Sequence, residues 1–121
     1  MMRYYDTIAE FERDGFDIVV DKTYEDLDPW DQLSECFDSK RQLYNDIDSG
    51  KYEWFMLRVR ALLKGREMGC TYLGGCLYED ARQVLEDGTV EDQLIEVLAE
   101  ARREAEIMRH FLNKMLDKAA A

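Results

Sequence analysis

Carboxylates, three cysteines and one histidine are the side chains of this chain whose types suit metal binding or catalysis. Asp26, Asp28, Asp31 and Glu35 have a spacing close to that of a calcium-binding loop. However, Trp30 stands where a third ligand belongs, and Asp31 stands where that loop requires glycine. We therefore expect these acids not to bind calcium.

The remaining residues do not support zinc binding or nucleophilic catalysis. Cys70 and Cys76 are six residues apart rather than in a close CxxC pair, and His110 is the only histidine. No motif links a serine or cysteine nucleophile to His110, and the glycines match neither dinucleotide nor P-loop spacing. Acids are so dense in one segment that no pair stands out for acid–base chemistry. The sequence therefore predicts a protein that is not an enzyme and has no cofactor or metal.

Nearly all of the net charge lies in one segment of the chain. Residues 6–38 hold twelve acidic and two basic residues, a balance of −10, within a total of −11. Residues 39–121 hold fifteen acidic and thirteen basic residues. A one-sided negative field favours a basic partner and disfavours direct binding to nucleic acid or to an anionic membrane. The alternative interpretation is a solvated face that keeps a small domain soluble.

Length and composition predict one folded domain. A hydrophobic content of 46% with 12% aromatic residues is too high for a disordered acidic tail. We place the domain at 1–118 and treat 119–121 as a cloning scar. The sequence lacks an apolar run of about 18 residues and an apolar N-terminal stretch. The number of cysteines, three with Cys36 included, is odd, which indicates reduced thiols rather than a disulfide framework. A soluble cytoplasmic protein is expected.

Residue periodicity predicts an α+β fold that is mainly helical, with about five helices, a small β element and a long C-terminal helix. Six segments are candidates for these helices: 4–13, 29–37, a stretch between Ser39 and Gly50, a central segment from near Lys51, 78–85 and about 89–116. The one predicted strand lies near 16–21. Its partner is expected to be the run 70–78 or the same strand of a second subunit.

The predicted final helix carries apolar residues at steps of three and four from Val90 to Met115. Such a stripe has two interpretations. It either packs along the core of its own domain or pairs with a second copy to form a homodimer.

The densest part of the acidic segment is the predicted partner-binding face. Its residues are Asp21, Glu25, Asp26, Asp28, Asp31, Glu35 and Asp38. If 28–38 were helical, its four acids would span about 15 Å, a charge spacing of the same order as that of DNA phosphates. Trp30 or Tyr4 would add an aromatic anchor, although Trp30 also suits a core position.

Three stretches of the chain are similar to short proteins carried by phages and mobile elements of bacteria: FERDGFDIV at 11–19, YEWF at 52–55 and YLGGCLY at 72–78. Small acidic proteins of that setting are often inhibitors of host defence, including anti-CRISPR and anti-restriction proteins, some of which mimic DNA. The resemblance implies an inhibitor of a defence nuclease complex in the bacterial host cytoplasm, binding the basic nucleic-acid-binding surface of its partner. It carries over no functional residue. The alternative function is a homo-oligomeric structural or regulatory protein assembled through the C-terminal helix.

Overall fold

A four-stranded antiparallel sheet forms the centre of the computed structural model, which describes residues 3–120. The strands lie side by side in chain order. They are β1 (Asp6–Arg13), β2 (Phe16–Tyr24), β3 (Glu53–Leu63) and β4 (Arg66–Tyr78). The helices are α1 (Pro29–Leu33), α2 (Lys40–Asp48), a 3-10 helix (Ala81–Leu85) and α3 (Thr89–Ala120). α1 and α2 lie in the crossover between β2 and β3, which we define as residues 25–52.

Two tight turns make the two hairpins of the sheet. Asp14 and Gly15 connect β1 to β2 with φ angles of 55° and 88°. Lys64 and Gly65 connect β3 to β4 with φ angles of 52° and 81°. Two successive left-handed residues are what a type I′ turn requires, and the twist of that turn matches the twist of the flanking strands.

One face of the sheet is covered by α3. In β3 every second residue from Phe55 to Ala61 is buried, as the alternation of a strand with one covered face requires. α3 contributes Val90, Leu94, Val97, Leu98 and Ala101 to the same core. The helix approaches β4 closely at Gly69, where an added Cβ would lie 2.6 Å from the carbonyl oxygen of Val97. The core therefore lies between the sheet and the first half of α3.

The predicted mainly helical fold with about five helices is wrong. The segment predicted as the first helix forms β1, and the segment predicted as the central helix forms β3. In β1 the register with β2 shifts between Thr7 and Ala9, so Ile8 is an extra residue. This bulge leaves Ile8 and Phe11 three residues apart while both contact the core, which imitates helical spacing.

Other elements agree with the prediction in part. The strand predicted near 16–21 belongs to β2, but its neighbours are β1 and β3, and the run 70–78 belongs to β4. α1 begins at Pro29 after the N-cap Asp28 as predicted, but it ends at Leu33 rather than near 37. The helix predicted over 78–85 is reduced to the 3-10 helix. α2 and α3 begin after Ser39 and at Thr89, as predicted.

α3 extends well beyond the sheet. Its 32 residues span about 48 Å at about 1.5 Å per residue. Ala101 is the last buried residue of the helix, Ala105 and Met108 are half-buried, and residues 109–120 are exposed. Within residues 3–120, no helix has the length and apolar character that a membrane crossing needs.

Candidate functional site on the acidic segment

The carboxylates of the acidic segment do not form one continuous face. They are distributed over β1, β2 and the crossover, and they differ in burial and in partners. Of the predicted binding residues, three make internal contacts that fix the fold: Asp21, Glu25 and Asp28. The other four are exposed, and we call them the crossover acids: Asp26, Asp31, Glu35 and Asp38.

Asp21 is buried inside the fold, with 1% of its surface exposed. It lies in β2 on the sheet face opposite α3, directly across from Arg58. Its carboxylate accepts hydrogen bonds from Arg58 Nε at 3.0 Å, from Arg60 at 3.4 Å and from the Thr7 hydroxyl at 3.2 Å. The ring of Tyr5 covers the Arg58 guanidinium at 3.5 Å. Asp21 therefore neutralises arginines of its own sheet and is not presented to a partner.

Glu25 and Asp28 hold the crossover in place. Glu25 accepts a hydrogen bond from the backbone N–H of Gly75 at 2.7 Å, which fastens the start of the crossover to β4. Asp28 caps α1 by accepting from the N–H of Trp30 at 3.0 Å, and it also accepts from the Tyr44 hydroxyl. These bonds lower the pKa of Asp28 below its ordinary value and raise the pKa of Tyr44 to about 12.

The crossover acids are four of the five exposed carboxylates of the crossover, which also exposes Lys40, Arg41 and Lys51. Asp26 forms an ion pair with Arg3 at 3.0 Å. Among residues 3–120, no cationic group lies within 4 Å of the carboxylates of Asp31, Glu35 or Asp38. Because α1 ends at Leu33, these acids do not form the continuous helical row that the sequence predicts.

A second exposed acidic group lies at the β1–β2 hairpin. Glu10, Glu12 and Asp17 are exposed on the sheet face opposite α3, and Glu12 lies directly across from Asp17. No cation of the described chain lies within 4 Å of these three, whereas Asp14 at the turn pairs with Arg102. Like charges in opposing positions destabilise a sheet. Sequence reasoning did not single out this group, although the Asp14-Gly15 turn would have placed Glu12 opposite Asp17.

A cavity of about 440 Å³ opens beside the crossover. Its walls are rich in aromatic side chains: Tyr4, Tyr24, Tyr52, Trp54 and Phe55. Its charged lining residues are Asp6, Lys22 and Glu53, of which the last two form an ion pair. Glu53 also accepts from the N–H of Ala81 at 2.6 Å. Tyr4, one of the two predicted aromatic anchors, is 82% exposed at this cavity, while Trp30 is half-buried in α1.

The surface beside the cavity holds a guanidinium group of its own chain. The Arg3 guanidinium lies 4.6 Å from the centroid of the Tyr24 ring. One of its nitrogens donates to the Tyr24 carbonyl oxygen at 2.8 Å and the other to the Asp26 carboxylate at 3.0 Å. An aromatic face, a carbonyl and a carboxylate together recognise the shape and the charge of an arginine side chain.

Metal-ligating and nucleophilic side chains do not come together in the described chain. Residues 3–120 contain no group of three His, Cys, Asp or Glu side chains placed to hold a metal ion. Cys36 is exposed, Cys70 is half-buried and Cys76 is buried, and all three are free thiols. Burial raises the pKa of the Cys76 thiol to about 11. His110 lies exposed on α3.

Comparison with protein-family models, with curated proteins and with solved structures finds no match to this chain. The chemistry of the crossover acids and of the aromatic cavity is therefore the basis for a functional proposal.

Proposed function

We propose that this protein is a non-enzymatic inhibitor that binds a basic, nucleic-acid-binding surface of another protein. The resemblance to phage proteins makes a defence nuclease complex in the bacterial host cytoplasm the proposed partner. In this proposal the crossover acids, and the aromatic cavity whose wall residue Tyr24 lies next to Arg3 and Asp26, contact Lys and Arg side chains of the partner. Occupation of that surface excludes nucleic acid by charge and by steric hindrance.

The binding of Arg3 is the observation that carries the proposal. Tyr24 and Asp26 hold its guanidinium with one aromatic contact and one ion pair, in a partly solvated position. An arginine or lysine of a partner would meet the same kinds of group in the neighbouring cavity, where aromatic rings surround two carboxylates and one lysine. Rings combined with excess negative charge favour cationic ligands over anionic ones.

Asp31, Glu35 and Asp38, which have no cation within 4 Å in the described part of the chain, support the proposal. A carboxylate with an internal cation must break that ion pair before it binds a cation of a partner. These three carboxylates are exposed, so they release only water and counterions when they bind. Pairs of this kind are screened at distances beyond about 8–10 Å at physiological salt. Binding through them is therefore expected to weaken steeply as the salt concentration rises.

A capture experiment with two matched triple variants tests this function. The crossover variant carries Asp31→Lys, Glu35→Lys and Asp38→Lys, and the hairpin variant carries Glu10→Lys, Glu12→Lys and Asp17→Lys. Both change the net charge by the same amount, and both alter exposed side chains only. Each is used as bait in bacterial lysate and washed at increasing salt, after circular dichroism has confirmed its fold.

The proposal predicts that the unaltered chain and the hairpin variant capture a nucleic-acid-binding protein that added DNA or RNA displaces. The crossover variant is expected to lose that protein at low salt. Equal loss by both variants would show that net charge alone drives binding. Retention by the crossover variant, or a captured protein that nucleic acid does not displace, would contradict the proposal.

A further inference from the structure

We propose that the protein is a homodimer joined by residues 107–116 of α3, with the helices of two copies packed antiparallel. This inference is independent of the acidic surface. It concerns the part of α3 that continues past the sheet. Within 107–116, Met108 still packs partly against the domain core, whereas the other apolar residues of the stripe are exposed.

The apolar stripe of α3 continues without change into the exposed part of the helix. Within the domain, Leu94, Val97 and Ala101 follow one another at steps of three and four and are buried. The same steps lead through Met108 to Leu112 and Met115, which are 52% and 54% exposed. The neighbouring residues Ile107, Phe111 and Leu116 are 63%, 62% and 67% exposed. Polar residues occupy the other side of the helix, so a wide apolar stripe faces solvent on a well-formed helix.

The order of residues in this stripe fits a second copy of the same helix. The six apolar positions form three pairs that are symmetric about the midpoint between Phe111 and Leu112. The pairs are 107 with 116, 108 with 115, and 111 with 112. In an antiparallel dimer whose two-fold axis passes through that midpoint, each of these six residues therefore lies opposite another of the six. A stripe without this symmetry would leave apolar residues facing polar ones.

Charge at the ends of the stripe agrees with this arrangement. Glu104 and Lys118 lie on the same side of the helix and are almost equally distant from the midpoint. In the antiparallel dimer, Glu104 of one copy lies beside Lys118 of the second copy. Glu104 has only a loose internal partner, Arg66 at 3.9 Å, so it remains able to form this contact.

The exposed area is of the size that a reversible dimer needs. Taking about 200 Å² for a large apolar side chain, the five exposed residues present on the order of 600 Å² per copy. Stable protein interfaces bury about 800 Å² per partner, and the aliphatic stems of Arg109 and Lys118 beside the stripe supply part of the difference. Apolar residues scattered singly over a surface do not form a continuous exposed apolar area of this size.

Sedimentation equilibrium of the full chain between about 1 and 100 µM tests the proposal. A monomer has a mass of 14.3 kDa. We expect the unaltered chain to reach twice that mass within this range, and Leu112→Lys to remain monomeric with an unchanged circular dichroism spectrum. Ile95→Lys is the matched control, because Ile95 is 70% exposed on the same helix but lies outside the stripe. A chain that stays monomeric at 100 µM, or a Leu112→Lys dimer, would overturn the proposal.

A disulfide experiment tests the antiparallel direction of the helices. It does not depend on Leu112→Lys, so a folding defect of that variant would not affect its result. In a Cys36→Ser background, one variant carries Met108→Cys and another carries Met115→Cys. After mild oxidation of the mixed variants, the antiparallel dimer predicts the mixed disulfide between positions 108 and 115 as the main product. A predominance of the two homodisulfides would indicate parallel helices and refute the geometry. If the chain were monomeric and co-sedimented with anionic phospholipid vesicles, the stripe would be a membrane-binding surface, and the homodimer proposal would also be refuted.

Discussion

Replacement of Asp21 by asparagine is predicted to destabilise the fold strongly, although Asp21 belongs to the acidic segment. Asp21→Asn keeps the shape of the side chain and removes its charge, which leaves Arg58 and Arg60 without a counter-ion on the sheet. Removing one member of a buried ion pair costs roughly 3–5 kcal/mol. Because the side chains of Arg58 and Arg60 are 15% and 25% exposed, water solvates part of the freed charge. We therefore expect a loss of about 2–3 kcal/mol in the free energy of unfolding.

Urea denaturation, followed by the fluorescence of Trp30 and Trp54, measures this loss from the transition midpoint and slope. Asp17→Asn is the matched control, because Asp17 lies on the same strand and the same face but is exposed and has no cation within 4 Å in the described chain. Its effect is expected to stay within about 0.5 kcal/mol. If Asp21→Asn also changed the free energy of unfolding by no more than the control, the structural role assigned to Asp21 would be refuted.

Three further predictions concern packing, pH and thiol reactivity. Gly69→Ala forces a Cβ against the carbonyl oxygen of Val97, so thermal or urea unfolding should show a loss of about 1–3 kcal/mol, and an unchanged stability would contradict the close contact with α3. The lowered pKa of Asp28 means that its stabilising contribution is present above its unfolded pKa of about 4 and is lost as pH falls through the lower folded value. The free energy of unfolding of Asp28→Asn, measured by urea denaturation, should therefore be lower than that of the unaltered chain at pH 7 and equal to it at the lowest pH. A difference in this free energy that stays constant with pH would show that the Asp28 charge is not its cause. In labelling with an aromatic disulfide reagent at pH 8, exposed Cys36 should react first and buried Cys76 last, and faster labelling of Cys76 would show that the core opens readily.

Helix starts were predictable from the sequence because each depends on a few adjacent residues. The Asp28 carboxylate accepts from the N–H of Trp30, and the Ser39 hydroxyl accepts from the N–H of Gln42. These caps lie where the residue types indicate, so α1 and α2 begin as predicted. The end of α1 was not predictable in the same way, because the apolar spacing that suggested a longer helix continues beyond Leu33.

The sheet was missed because its signals were interpreted as helix ends. Gly15 and Gly65 each follow a residue with positive φ and form hairpin turns, whereas an isolated glycine after an apolar pattern also suits a helix terminus. In β3, Trp54 and Leu62 add apolar side chains to the face opposite the core, which obscures the alternation between Phe55 and Ala61. Buried and less buried residues do alternate along β3, but both faces of the strand carry apolar residues near its ends.

The division of the acids into structural and exposed groups depends on contacts between distant residues. Asp21 pairs with Arg58, which is 37 residues away, and Glu25 accepts from Gly75, which is 50 residues away. Charge counting treats these acids like Asp31, although Asp31 is exposed and has no cation within 4 Å among residues 3–120. The sequence could therefore locate the acidic segment, while the sheet topology decides which of its carboxylates reach solvent.

The salt dependence of partner binding tests the central claim most directly. The dissociation constant for the captured partner is measured between 50 and 300 mM NaCl for the unaltered chain, the crossover variant and the hairpin variant. We predict that the crossover variant binds weakly with a flattened salt dependence, while the hairpin variant keeps the slope of the unaltered chain. A crossover variant with the affinity and slope of the unaltered chain would contradict the claim that Asp31, Glu35 and Asp38 form the binding surface.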